Sequence, residues 1–143
     1  MTATLDDKAL DTLALRLGER LLARGWMTAT AESCTGGWIA KTLTDVAGSS
    51  AWFDRGFVTY TNEAKQDLLG VRADTLAAHG AVSEATVGEM VAGALARSRA
   101  AVAVAVSGIA GPTGGTPDKP VGTVWLAWGE RDGTIRAERY RFE

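Results

Sequence analysis

The feature that most constrains the fold is an unbroken apolar run, Ala-Val-Ala-Val-Ala-Val, at residues 101–106. A strand with no polar residue must be covered on both faces, which is typical of sheets that carry helices on each side. Helical patterns alternate with strand patterns along the rest of the chain, and a hairpin signal, Asp132-Gly133, comes near its end. This order predicts an α/β fold, a three-layer sandwich with helices packed on a mixed β-sheet.

The expected elements divide residues 1–143 into a single domain, with no internal repeat and no linker. Helices are expected at residues 5–24, 38–46, 63–69, 72–79 and 84–97, and strands at 27–32, 53–60, 101–106, 121–128 and 134–142. Asn62 is the expected N-cap of the third helix. The buried stripe expected for the first helix is Leu10, Leu13, Ala14, Leu17 and Leu21. Alternation in the last strand slips between Ala137 and Tyr140, so we expect an edge strand with a bulge.

Charge and composition exclude several functional classes. Fifteen basic and seventeen acidic side chains give a net charge of −2, with no Lys or Arg run, so neither direct nucleic-acid binding nor membrane association is expected. No apolar stretch approaches the roughly 20 residues of a membrane span, and early aspartates interrupt any signal-peptide pattern. One cysteine and one histidine exclude an internal disulfide and make a zinc site unexpected. We expect a soluble cytoplasmic protein without metal or cofactor.

Residues 33–37, Ser-Cys-Thr-Gly-Gly, form the junction between the strand at 27–32 and the helix at 38–46. Such a turn places a hydroxyl and a thiol beside the unpaired N–H groups of a helix N-terminus, where negative charge is favoured. A nucleophile or a phosphate suits that environment. The junction therefore makes Ser33 the candidate nucleophile.

Ser33 needs a base, because an unassisted hydroxyl is a poor nucleophile at neutral pH. Lys65 falls in the first turn of the helix at 63–69, where the positive end of the dipole is expected to lower its pKa. Tyr60, at the end of the preceding strand, is placed to relay a proton or to bind the lysine. A Ser-Lys pair is one hypothesis, and a solvated surface lysine is the alternative.

Other reactive side chains have simpler interpretations. His79 lies at an expected helix C-terminus, where an imidazole commonly complements the dipole, so a histidine-based triad is not expected. Lys41 is a weaker rival base. Cys34 neighbours Ser33 in an extended segment, so the two side chains point apart, and a buried small side chain is the expectation for the thiol. Glu32 either orients a base or forms local hydrogen bonds, and the sequence does not decide between these roles.

Ser107 and the loop at residues 108–115 form a second glycine-rich junction, at the end of the buried strand. In open α/β sheets ligands bind at the carboxyl ends of the strands, and glycines let the backbone approach a phosphate or an oxyanion. The spacing matches neither a P-loop nor a dinucleotide-binding fingerprint, so a tight connection is the alternative. Two such junctions in one small domain favour a ligand site.

Several long motifs occur in a fixed order along the chain. They are AESCTGG (31–37), GSSAWFDRGFVTYTNEAK (48–65), LLGV (68–71), HGAVSE (79–84), SGIAGPTGG (107–115) and KPVGTVW (119–125). On these motifs the chain resembles the CinA C-terminal domain family, which includes nicotinamide-nucleotide amidohydrolases, over nearly its whole length.

The resemblance implies hydrolysis of the carboxamide of nicotinamide mononucleotide to nicotinate mononucleotide and ammonia, without a metal or a cofactor. It implies Ser33 as nucleophile, Lys65 as general base and Tyr60 as an assisting residue. Backbone N–H groups at residues 34–37 would stabilise the oxyanion. The implied substrate-binding residues are Cys34, Thr35, Gly36, Gly37, Ser107, Gly108, Gly111, Gly114 and Gly115.

Other functions and assembly states stay open at this point. The chain is expected to be the stand-alone form of the family's domain, lacking a final C-terminal helix that members usually add. The alternative function is a non-catalytic, competence-related binding module that acts through a protein partner. Hydrolysis of a nucleotide pyrophosphate is a third hypothesis, and it usually needs a carboxylate-bound metal that no acidic motif supplies. Five tryptophans and apolar strand faces favour a homo-oligomer, a dimer or larger.

Overall fold

The structure, a computed structural model, describes residues 6–142. Within that range the helices α1–α5 are Asp7–Arg24, Trp38–Thr44, Asn62–Leu69, Ala73–His79 and Glu84–Ala96, and a short 3₁₀-helix covers Ser49–Ala51. The strands β1–β5 are Thr28–Glu32, Phe53–Val58, Val102–Gly108, Thr123–Glu130 and Ile135–Arg141. The predicted elements are all present, with ends that differ by one to a few residues. The predicted first residue of α1, Leu5, lies outside the described residues.

The described strands form a five-stranded sheet in the order β2-β1-β3-β4-β5. β1 pairs in parallel with β2 and β3, whereas β4 runs antiparallel to β3, and β5 antiparallel to β4. From β1 the chain enters α2 on one face of the sheet, and from β2 it enters α3–α5 on the other. The carboxyl end of β1 is therefore a topological switch point, the usual location of a ligand crevice in open α/β sheets.

Apolar cores on both faces of the sheet confirm the three-layer sandwich. The core on the α5 side contains Ala29, Ala31, Val87, Met90, Val91, Ala94, Ala103, Ala105 and Ala127. The core on the α1 side contains Ala14, Leu21, Leu43 and Trp52. Because successive residues of a strand face opposite sides, β1 turns its alanines toward α5 and its other side chains toward α2.

The buried stripe of α1 differs from the prediction. Ala14 and Gly18 are buried, whereas Leu13 and Leu17 are 49% and 39% exposed. The cause is Trp52, whose indole packs so close to Gly18 that a Cβ there would lie 2.6 Å from the ring. A line of leucines could not approach the ring this closely, so the helix presents its smallest residues instead.

The N-cap of α3 is Thr61, and the prediction of Asn62 was wrong by one residue. The Ala64 N–H donates to the Thr61 hydroxyl oxygen over 3.0 Å, and Asn62 is the first helical residue. A hydroxyl one residue earlier can accept the same orphan N–H group, which the sequence did not distinguish. Lys65 remains in the first turn of the helix.

α5 crosses the end of α3 at Gly93, which has no side chain. A Cβ on Gly93 would lie 1.9 Å from the main-chain oxygen of Leu69, so only glycine fits. One turn later the Arg97 guanidinium donates to the same oxygen over 3.2 Å. The separation of the two helices is therefore fixed by direct contact with main-chain atoms.

β5 is an edge strand as predicted, but the predicted bulge is wrong. Its register with β4 is continuous, from Arg141 opposite Thr123 to Ile135 opposite Gly129. The slip in the sequence pattern arises because each face of β5 holds an apolar residue: Ala137 packs against the core on the α5 side. Tyr140, an odd number of residues away, lies on the opposite face.

Candidate active site

Ser33 and Lys65 meet at the carboxyl end of β1. Ser33 follows the strand directly, and its N–H donates to the main-chain oxygen of Val106 over 3.1 Å. Its side chain therefore continues the alternation of Ala29 and Ala31 and lies on the α5 side of the sheet. α3 lies on the same side, and it brings the Lys65 side chain across the end of β1.

The Lys65 Nζ atom is held by three oxygen atoms. It lies 3.1 Å from Ser33 Oγ, 3.1 Å from the Thr59 main-chain oxygen and 3.2 Å from the Tyr60 main-chain oxygen. A neutral amine has two N–H groups, which the two carbonyls can accept, and its lone pair is then left for the Ser33 hydroxyl. This arrangement suits a base for the serine.

Burial lowers the pKa of Lys65 below its ordinary value of 10.5. The side chain is only 1% exposed, so the alternative of a solvated surface lysine is wrong. The direction of the shift agrees with the sequence prediction, but its main cause is desolvation and not the helix dipole. A lysine with a lowered pKa supplies more neutral amine near physiological pH.

The other candidate bases lie elsewhere or act differently. The Tyr60 side chain is 73% exposed, and it is the main-chain oxygen of this residue, not the phenol, that binds Lys65. Lys41 is exposed and forms an ion pair with Asp45 at 2.7 Å. His79 is the exposed last residue of α4, the helix end that the sequence predicted.

Glu32 is fully buried, at 0% exposure, on the face of β1 opposite Ser33. Its carboxylate accepts hydrogen bonds from the Thr35 hydroxyl at 2.6 Å, from Ile39 N at 2.8 Å and from Ala40 N at 2.9 Å. The Glu32 side chain thus forms local hydrogen bonds and makes none to Lys65, which resolves for the side chain the choice that the sequence left open. These two amides of α2 are consequently engaged and are not available to an oxyanion.

The free amides of this junction lie in the turn itself. Within residues 6–142 the N–H groups of Thr35 and Gly37 donate to no main-chain acceptor, while Gly36 N donates to Ser33 O over 3.2 Å. Gly37 has a φ of 104°, which favours glycine. The Cys34 N–H group likewise has no main-chain acceptor in this range, so the turn that carries Ser33 offers three amides that suit a developing oxyanion.

Cys34 is half-buried and links the two glycine-rich junctions. Burial raises the pKa of its thiol, with a further rise from the charge of Glu32, so the thiol stays protonated at neutral pH. A Cβ on Gly108 would lie 3.2 Å from Cys34 Sγ and 2.8 Å from Val124 Cγ2. Gly108 therefore lets the two junctions approach, and the side chain of Cys34 is half-buried rather than fully buried as predicted.

Ser107 is a buried residue without a hydrogen-bond partner. It is 1% exposed, it pairs with Trp125 of β4, and its Oγ has no partner within the described residues. The loop that follows is largely exposed, and positive φ angles of 79° and 97° at Gly111 and Gly114 make those positions favour glycine. At Gly115 a Cβ would lie 2.7 Å from Val121 N.

The structure thus brings the predicted residues Ser33, Cys34 and Lys65 together and places Ser107 at the adjacent strand end. Sequence analysis missed Thr59, whose main-chain oxygen holds Lys65 and whose side chain is fully buried. No residue-type signal marks a carbonyl, and the predicted strand at 53–60 included Thr59, so the sequence did not point to it. Within residues 6–142 no group of three or more His, Cys, Asp or Glu side chains is placed to hold a metal ion. No helix in the same range is long and apolar enough to cross a membrane.

Comparison with known proteins identifies the family of this chain. The family model of the CinA C-terminal domain matches residues 10–143. Nicotinamide-nucleotide amidohydrolase PncC of Escherichia coli strain K12 is 61% identical over 124 residues, which are 87% of this chain and 75% of that protein. The PncC of Enterobacter agglomerans is 55% identical over 138 residues, 96% of this chain and 84% of that protein.

A solved structure shares the fold. The crystal structure of competence/damage inducible protein CihA from Agrobacterium tumefaciens is 52% identical, with a TM-score of 0.92, and the match covers 100% of this chain and 86% of that chain. Sequence and structure therefore agree, and this chain belongs to the CinA C-terminal domain family.

Proposed function

We propose that this chain is an amidohydrolase that deamidates nicotinamide mononucleotide to nicotinate mononucleotide and ammonia, with Ser33 as nucleophile and Lys65 as general base. The names of the two PncC relatives support the substrate class. The observation that carries the mechanism is the Lys65 Nζ atom, buried 3.1 Å from Ser33 Oγ and bound by two carbonyl oxygens. Burying a lysine costs free energy, and buried titratable groups with shifted pKa values cluster at functional sites, which supports a catalytic role for Lys65.

The first step forms an ester. Lys65 Nζ takes the Ser33 hydroxyl proton as Oγ bonds to the carboxamide carbon, and the resulting oxyanion is stabilised by amides of the turn at residues 34–37. The ammonium of Lys65 then returns the proton to the amide nitrogen, the C–N bond breaks, and ammonia leaves.

The second step hydrolyses the ester. Lys65, neutral again, takes a proton from a water molecule as its oxygen bonds to the ester carbon. The carbon–Oγ bond breaks, and Lys65 returns the proton to Ser33 Oγ. Nicotinate mononucleotide is released, and both side chains are restored.

The rest of the nucleotide is assigned to the neighbouring strand ends. Ser107 offers a buried hydroxyl with no partner in the described range. The N–H groups of the glycines at 111, 114 and 115 donate to no main-chain acceptor there, so they suit a phosphate. The Thr35 hydroxyl donates a hydrogen bond to Glu32. Tyr60, whose side chain is exposed, is assigned an assisting role.

Ammonia release from nicotinamide mononucleotide tests the proposal. We expect release by the wild-type chain in the presence of a chelator, and none above background from a folded Ser33→Ala variant. Release that is unchanged in Ser33→Ala would contradict the nucleophile. A folded wild-type chain that releases no ammonia would contradict the activity and would favour the non-catalytic binding module.

A further inference from the structure

We infer that Glu32 is a positioning residue that aligns both members of the Ser33–Lys65 pair, through its carboxylate on one side and its main-chain oxygen on the other. The inference rests on the proposed function, because the pair is the machinery of that reaction. Glu32 does not contact the reacting atoms, since its side chain lies on the opposite face of β1.

The carboxylate fixes the turn that carries the nucleophile. Oε1 accepts from the Thr35 hydroxyl at 2.6 Å and from Ile39 N at 2.8 Å, while Oε2 accepts from Ala40 N at 2.9 Å. Thr35 lies two residues after Ser33, and the two amides begin the following helix. Three donors on one buried anion therefore hold the strand, the turn and α2 as one unit.

The main-chain oxygen fixes the base. Glu32 O accepts from Thr59 N at 2.8 Å and from the Thr59 hydroxyl at 3.4 Å. Thr59 in turn presents its own carbonyl to Lys65 Nζ at 3.1 Å. Glu32, the residue directly before the nucleophile, thus helps to fix the position of Ser33 Oγ relative to Lys65 Nζ.

The proposed alignment requires the Glu32 side chain to be a carboxylate anion. A carboxylate accepts at both oxygens, whereas a glutamine in the same place must turn its NH₂ group toward a donor, and one of the three bonds is replaced by a repulsion. Since misplacement of reacting groups by about 1 Å costs on the order of 100-fold in rate, loosening the turn should reduce kcat more than KM.

The chain contains a matched control carboxylate. Glu89, on α5, accepts from Arg72 N at 2.8 Å and from the Thr75 hydroxyl at 2.5 Å, so it also holds a helix N-terminus together with a threonine. Glu89 makes no contact with the Ser33–Lys65 pair. Glu89→Gln therefore removes the same kind of bonds and perturbs stability without touching the proposed alignment.

The test compares Glu32→Gln with Glu89→Gln in ammonia release and in chemical denaturation. We expect kcat to fall by about tenfold or more in Glu32→Gln, with KM within about threefold, whereas Glu89→Gln keeps kcat within about twofold. A kcat within twofold of wild type in Glu32→Gln overturns the inference, and so does an equal loss of kcat in Glu89→Gln. If Glu32→Gln does not fold, Thr35→Val is measured instead, and an unchanged kcat in that variant overturns the inference equally.

A second readout separates this inference from the proposed substrate. A fluorophosphonate probe reacts with an activated serine by forming a P–O bond to Oγ and releasing fluoride, without any nucleotide. We expect the labelling rate of Ser33 to fall by a similar factor in Glu32→Gln and to stay unchanged in Glu89→Gln. Labelling of wild type without ammonia release would contradict the substrate alone, and the ratio of labelling rates would still decide the role of Glu32. A wild-type chain that neither reacts with the probe nor releases ammonia contradicts both.

Discussion

The two glycine-rich junctions lie side by side at the carboxyl ends of β1 and β3, yet their hydrogen bonding differs sharply. Three hydrogen bonds hold the turn at residues 33–37. The Ser33 N–H donates to the Val106 main-chain oxygen, the Gly36 N–H to the Ser33 main-chain oxygen, and the Thr35 hydroxyl to the Glu32 carboxylate. In residues 108–115, Ile109 N donates to Thr123 O, and the glycine-rich stretch after it is largely exposed.

This difference suggests that one junction holds a reacting group and that the other receives a ligand. A group that forms and breaks bonds must be held within a fraction of an ångström, whereas a loop that receives a ligand keeps donors free for it. The hydrogen-bonded junction of β1 suits the first role. The Ser107 hydroxyl and the loop amides suit the second, the ligand contact that we propose for the junction of β3. The predictions below test that contrast.

The largest effect is expected at Lys65. Lys65→Met should lower kcat by about 10³-fold, or about 4 kcal/mol in the barrier, because the general base is removed. Lys41→Met, which removes an exposed lysine paired with Asp45, is the control and should keep full activity. A small loss in Lys65→Met would mean that the junction of β1 holds a structural lysine and not a base.

The pH dependence of kcat in the wild-type protein and in Lys65→Met tests the direction of the Lys65 pKa shift. Burial lowers the pKa of Lys65, and the base is the deprotonated amine, so wild-type kcat should rise with pH through that lowered pKa and be lost below it. The residual kcat of Lys65→Met should not show this rise with pH.

A smaller effect is expected where the two junctions touch. An added Cβ at Gly108 meets Val124 Cγ2 at 2.8 Å and the Thr123 main-chain oxygen at 3.0 Å, so Gly108→Ala should lower the free energy of unfolding by about 1–3 kcal/mol. Gly88→Ala, where nothing lies within 4 Å, is the control and should be neutral or stabilising in denaturant unfolding. Equal stability of the two variants would show that the junctions do not need their close approach.

The smallest effect is expected at Ser107. Ser107→Ala should raise KM for the nucleotide about fivefold, the equivalent of about 1 kcal/mol, without lowering stability, because the lost hydroxyl has no protein partner. Thr30→Val removes the other buried, unpartnered hydroxyl of the described residues and should leave KM unchanged. A changed kcat with constant KM in Ser107→Ala would assign this strand end to chemistry instead of binding.

The fold was predictable from residue types to the extent that periodicity and caps determine it. The apolar run at 101–106 became the central strand β3, and the three-layer arrangement followed from alternating patterns. Long-range contacts were not predictable, and Trp52 accordingly turns α1 away from its leucine stripe. The Thr61 cap is local, but two neighbouring polar residues could each serve as the cap, and the sequence did not distinguish them.

The candidate site was predictable in its side chains but not in its main chain. Ser33 and Lys65 were identified from a turn and a helix position, and their proximity of 3.1 Å agrees with the Ser-Lys hypothesis. Carbonyl groups carry no sequence signal, so the contribution of Thr59 was missed and that of Tyr60 was assigned to its phenol. Glu32 was undecided because its partners lie in the following helix.

The contact between Gly93 and Leu69 has a consequence for the position of Lys65. α3 carries Lys65, and its end rests on α5 through a main-chain oxygen that lies where a Cβ would be. A methyl group at residue 93 would push α3 outward and move the lysine with it. A residue on α5 that makes no hydrogen bond to Ser33 or Lys65 therefore helps to set the position of Lys65.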